Sequence, residues 1–226
     1  MEVSVRNRTI SAVLKAVLIV SAVLGVFLSA LSSRDAFMGG GRMFMYFTIQ
    51  SNIAVFLISL IGLVLLVRKG RAGRAWYVIK FVGTVSITLT GVVFTFVLAP
   101  TLGKIAWNVP NTLTHVVVPA AAIIDFFVTG TYGDLRRRDV FYVILPPLAY
   151  FVYAGIGFVS GWEFASGINY PYFFLNWGSP AGAFGFTKEL PFMGCVWWIL
   201  TLLVFLLAVG YCYLFILDGI RKNRKV

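Results

Sequence analysis

Thr48 and His115 are the two residues of this chain whose types could do covalent chemistry together. A threonine hydroxyl is a weak nucleophile until a base takes its proton, and His115 is the sole histidine in 226 residues. His115 lies in the apolar run Asn111-Thr112-Leu113-Thr114-His115, and Thr48 in the run Tyr46-Phe47-Thr48-Ile49-Gln50-Ser51-Asn52. An ionisable group in hydrocarbon is costly to place and marks a candidate functional site. If the two runs face each other, Thr48 and His115 form a nucleophile and base pair just below a membrane surface.

Such a pair needs helices to hold it. Hydrophobic residues make up 60% of the chain and charged ones 12%, against roughly half and a quarter in soluble domains. Six continuous apolar stretches, at about 10–31, 43–67, 76–99, 110–130, 140–160 and 192–217, each reach the roughly 20 residues that cross a bilayer as a helix. Alternating β-barrel patterning is absent. The expectation is an all-α polytopic membrane protein, one domain over residues 1–226, with an outer aromatic loop at 161–191. The first stretch is too long for a cleaved signal peptide and has no small-residue cleavage site, so it is expected to stay as helix one.

The net charge of +11 follows membrane topology, not nucleic acid. The head carries Arg6 and Arg8, the second loop Arg68, Lys69, Arg71 and Arg74, the fourth Arg136, Arg137 and Arg138, and the tail Arg221, Lys222, Arg224 and Lys225. The odd loops hold only Arg34, Arg42, Lys104 and Lys188. Positive residues collect on the cytoplasmic side, so both termini are expected there, with the basic loops against anionic headgroups. A multi-pass protein of a bacterial inner membrane fits this layout.

With helices two and four entering from the outside near Met43 and Pro110, Thr48 and His115 are each about five residues in, roughly 7 Å below the boundary. Asn52 follows Thr48 by one turn and Asn111 precedes His115 by one turn, so each helix presents two polar groups on one face. Pro119 has no N–H for the His115 carbonyl, so the helix should loosen there. Asn52, Asn111 and Asn176 are candidate donors to a developing oxyanion, and Gln50 and Tyr170 candidate substrate-binding groups. No acid lies on either helix at this depth to orient the base; Asn111 or an outer-loop acid, Glu163, Glu189 or Asp35, would have to serve.

Other features have structural and functional readings side by side. Lys15, Lys80 and Asp125 lie at one level near the opposite face; Asp125 is expected to pair with Lys80 while Lys15 snorkels to the headgroups, the alternative being an ion path. Ser21, Gly25 and Ser29 give helix one a small-residue face, open to another helix or to a second copy of the chain. Pro146 and Pro147 predict a kink in helix five, shaping a cavity or simply bending toward lipid. The outer loop could be a lid or a plain aromatic belt. Cys195 and Cys212 share one helix, roughly 25 Å apart, and cannot bond to each other. With one histidine, no CxxC motif and no Gly-rich phosphate loop, no metal or other cofactor is expected.

The runs Tyr46-Phe47-Thr48, Asn111-Thr112-Leu113-Thr114-His115-Val116-Val117-Val118-Pro119 and Tyr170-Pro171-Tyr172-Phe173-Phe174-Leu175-Asn176 resemble those of the androgen-induced membrane hydrolase family and its bacterial relatives. The similarity extends over nearly the whole chain in layout. It implies six helices and an intramembrane threonine hydrolase of fatty acid esters of hydroxy fatty acids, with Thr48 as nucleophile and His115 as base. The alternative is a membrane carrier or lipid-binding protein whose polar cluster holds a headgroup, or a partner subunit using the helix-one face.

Overall fold

The computed structural model describes residues 5–32, 40–68, 72–129 and 135–223. Six helices in it are long and apolar enough to cross a membrane: α1 (Asn7–Ser32), α2 (Phe47–Val67), α3 (Arg74–Ala106), α4 (Val109–Thr129), α5 (Arg137–Val159) and α6 (Cys195–Ile220). No β-strand occurs among the described residues; two isolated bridges in the outer loop are the only extended pairings there. The expected end Gly130, Asp35, and the basic residues Arg34, Lys69, Arg71, Arg224 and Lys225 lie outside the described residues.

The helices depart from plain α geometry where prolines and polar residues require it. α3 runs past the expected end at Ala99 because a π turn at Phe94–Leu98 admits Pro100, whose missing N–H would break an α ladder. α4 has a matching π turn at Leu113–Val117, just before Pro119. α5 changes helix type at its prolines. It begins as a 3-10 segment, Arg137–Ile144, and becomes α-helical at Leu145, so Pro146 and Pro147 fall in the first α turn, where no intrahelical donor is needed. Helix two was expected from Met43, but Gly40–Met45 forms a separate 3-10 turn and Tyr46 is the extended residue that starts α2.

α3 is the central span and the most buried of the six. It packs on α2 and α4 on one side and on α5 and α6 on the other, while α1 lies across α2 and α4. Small residues set the close approaches: a Cβ on Gly25 of α1 would lie 2.7 Å from Thr114 Cγ2 of α4. The small-residue face of helix one therefore meets α4 of the same chain at Gly25, one of the two uses expected from sequence. Outward faces carry exposed Val13, Phe27, Phe96, Val152, Val204 and Phe215, the surface a helix presents to lipid.

Near the opposite end from Thr48, α1, α3 and α4 share a buried ionic cluster. Lys15 Nζ lies 2.6 Å from Asp125 Oδ1 and Lys80 Nζ 2.7 Å from Asp125 Oδ2. Ser11 donates to Asp125 at 2.5 Å and accepts from Lys15 at 2.6 Å, and Lys80 donates to Thr129. Lys15, expected to reach the headgroups, is 3% exposed and bound to Asp125 instead. An unpaired carboxylate and a free ammonium are both costly there, so the side chain turns inward.

Candidate active site

Thr48 sits in the first turn of α2, where backbone N–H groups have no intrahelical acceptor. Its N–H points instead to the Tyr172 hydroxyl, 3.4 Å away on the outer loop. Its side chain lines a cavity that offers about 30 Å³ to the centres of water-sized molecules, room for one or two waters. The wall is mostly apolar, with Phe47, Leu89, Val93, Phe94, Phe151 and Phe174; the hydroxyls on it are those of Thr48, Thr90, Tyr150 and Tyr172. α2, α3, α5, α6 and the outer loop all contribute.

The outer loop enters this site because part of its aromatic set is core, while Trp162, Phe184 and Phe186 stay exposed. Phe164 and Ala165 are fully buried and Phe174 and Leu175 nearly so. The Tyr172 ring stacks on Phe174, 5.1 Å between centroids, and stands edge-on to Tyr46. Tyr46 donates to the Phe164 carbonyl and Tyr150 to the Met45 carbonyl, which pins the loop and α5 to the start of α2. Arg42 and Glu163 form an ion pair over the same edge. Burial raises the Tyr46 and Tyr172 phenols above the usual range, so both stay protonated and able to donate at neutral pH.

His115 is buried in the π turn of α4. Its Nδ1 lies 3.0 Å from the Asn111 carbonyl oxygen, which can only accept, so Nδ1 carries the proton and Nε2 is left as the basic nitrogen. Thr114 Oγ1 stands 3.0 Å from the same Nδ1 and donates to the Pro110 carbonyl. The imidazole is thus oriented by a backbone carbonyl, with neither the Asn111 side chain nor, among the described residues, an acid bonded to it. The ring stacks on Phe94, 3.7 Å between centroids at 19°, so the π turns of α3 and α4 meet face to face. Stacking covers the imidazole face and leaves its edge, where Nε2 lies.

Asn52 joins the two helices. Its amide donates to the Thr48 carbonyl at 2.8 Å and to the Thr114 carbonyl at 3.2 Å, one residue from His115. α2 and α4 therefore touch at the expected level, and Ser51 ties α2 to α3 through Thr90 at 2.8 Å. No hydrogen bond joins Thr48 to His115 among the described residues, and Phe94, not His115, lines the cavity.

The remaining expected groups divide. Both amide hydrogens of Asn52 go to carbonyls, and its Oδ1, fully buried, has no hydrogen-bond partner among the described residues. Asn111 donates its side chain to the Ala106 carbonyl. Asn176 accepts from Gly178 in its own turn, and Gln50 is exposed and donates to the Phe44 carbonyl. Asn176, Gln50 and Tyr170 are absent from the cavity wall. Tyr172, Tyr150, Thr90 and Phe94 are the groups that sequence reasoning passed over. Tyr172 stands inside the quoted run Tyr170-Pro171-Tyr172, but strand-like or loop spacing gives no period that distinguishes it from Tyr170.

The comparisons with known proteins are silent: no protein-family model, curated protein or solved structure matches this chain.

Proposed function

We propose that this chain is an intramembrane hydrolase of lipid esters, fatty acid esters of hydroxy fatty acids or similar, with Thr48 as nucleophile and His115 as general base. The resemblance to the androgen-induced membrane hydrolases suggests the same reading. The observation that carries it is the Asn52 carboxamide, which ties the Thr48 carbonyl to the residue before His115 while the Thr48 side chain faces a cavity. In this reading both termini are cytoplasmic and the site lies near the outer face of a bacterial inner membrane, where a lipid ester arrives from the bilayer.

In this reading the site opens between the outer loop and the π turns when an ester binds. That opening brings His115 Nε2 to the Thr48 hydroxyl, a bond that commonly tightens only when substrate is present. The second reading, a lipid-binding or carrier protein, is favoured by one fact: both partners of His115 Nδ1 lie on its own helix, as in a purely structural histidine.

The test is a fluorophosphonate probe on the purified protein in detergent, with the adduct located by mass spectrometry. An adduct on Thr48, lost in Thr48→Ala and in His115→Ala, is the expected result. Folded protein that takes no adduct, yet binds lipid as well after Thr48→Val as before, would replace the hydrolase with the carrier.

A further inference from the structure

We infer that the Tyr172 hydroxyl is a further catalytic residue, which together with the Thr48 N–H holds the oxyanion formed when an ester is attacked in this cavity. The inference rests on the hydrolase reading and supplies what that reading lacks: donors at the nucleophile, since the Asn52 and Asn111 amides donate elsewhere and Asn176 does not line the cavity.

Three observations meet at this point. The Thr48 N–H belongs to the first turn of a long helix and has no helical acceptor; the N–H groups of Ile49 and Gln50 turn back to the Tyr46 carbonyl. Its partner is the Tyr172 oxygen at 3.4 Å, a long contact that a stronger acceptor can displace. The Thr48 and Tyr150 side chains interact with the Tyr172 hydroxyl, and all three residues line the cavity. An ester oxygen entering between the Thr48 N–H and the Tyr172 O–H would meet two donors beside the nucleophile. Burial keeps the phenol protonated, so it donates across the neutral range.

The step balances as follows. The Thr48 oxygen attacks the carbonyl carbon while His115 Nε2 takes the hydroxyl proton, and the carbonyl π pair moves onto oxygen, where the Thr48 N–H and the Tyr172 O–H donate to it. Collapse re-forms the C=O and breaks the bond to the leaving alkoxide, which takes the proton from His115. The product is an alcohol and acyl-Thr48. Water then repeats the sequence with His115 as base, giving a carboxylic acid and free Thr48. Tyr172 keeps its proton throughout.

The experiment measures hydrolysis of p-nitrophenyl octanoate by the full chain in detergent, for wild type, Thr48→Ala and Tyr172→Phe. For Tyr172→Phe, kcat is expected to fall about 10²-fold with KM little changed, the scale of losing one oxyanion donor. A kcat within about twofold of wild type, with Thr48→Ala inactive, overturns the role of Tyr172 and leaves the hydrolase standing. Wild type without activity, or Thr48→Ala as active as wild type, overturns both. If Tyr172→Phe does not fold, difluorotyrosine at position 172 keeps the hydroxyl but acidifies it. The alkaline loss of kcat then moves to lower pH, and an unmoved profile overturns the proposal.

Discussion

Gly91 of α3 meets His115 of α4 backbone to backbone: a Cβ on Gly91 would lie 2.9 Å from the His115 carbonyl oxygen and 3.3 Å from the Pro119 ring. That carbonyl is the one Pro119 leaves without an α-helical donor, so the absent side chain and the absent N–H act at the same spot. The two π turns then bring Phe94 onto the imidazole. Gly91→Ala must push α4 outward. It is expected to cost about 1–3 kcal/mol, the range for an overpacked core, read as a lower melting temperature in detergent. Hydrolysis should fall further than the stability loss accounts for, because His115 moves with the backbone. A variant as stable and active as wild type would show that the contact does not position His115.

Asn52→Leu tests the tie between α2 and α4. Thr48 keeps a second donor to its carbonyl in Ser51, at 3.0 Å, but the Thr114 carbonyl loses the Asn52 amide. The expected cost is about 1–3 kcal/mol for a buried group left unpaired. Fluorophosphonate labelling of Thr48 should slow as the helices lose register. Labelling at the wild-type rate would mean that the nucleophile does not depend on this contact.

The fold was legible because crossing a bilayer imposes a length and an apolarity that residues display one by one; the six spans are found within a few residues, except where Pro100 and Pro146 are absorbed by π and 3-10 turns. The contact of α2 with α4 was legible from depth, since Thr48 and His115 each lie about five residues from the expected ends of their helices. The rest depends on tertiary choices with no period. Nothing in the spacing says that Asn111 orients His115 through its backbone, that Tyr172 and not Tyr170 faces Thr48, or that Lys15 turns inward to Asp125.

The ionic cluster makes a prediction of opposite signs. One carboxylate faces two ammonium groups, with Lys15, Lys80 and Asp125 all under a tenth exposed. Asp125→Asn removes the anion that both lysines share and leaves two cations buried, with an expected cost of about 3–5 kcal/mol. Lys15→Met leaves a neutral Lys80–Asp125 pair and fills much the same space, and should be near neutral or stabilising. Thermal unfolding of the two variants in the same detergent decides it. Equal destabilisation would mean that the cluster is held by packing and not by its charge balance.

Asn111 separates the two ways a residue can serve a base. Its carbonyl, at 3.0 Å, holds His115 Nδ1, whereas its side chain donates to the Ala106 carbonyl at 2.8 Å and caps the end of α3. Asn111→Ala removes the second contact and keeps the first. The expected result is a stability loss of about 1 kcal/mol with the imidazole still oriented, and so a far smaller loss of kcat than His115→Ala gives. The pH dependence of kcat should keep its acidic midpoint, because the group that sets the tautomer is unchanged. A loss of kcat as large as that of His115→Ala, in a variant that melts with wild type, would mean that the side chain and not the carbonyl supports the base.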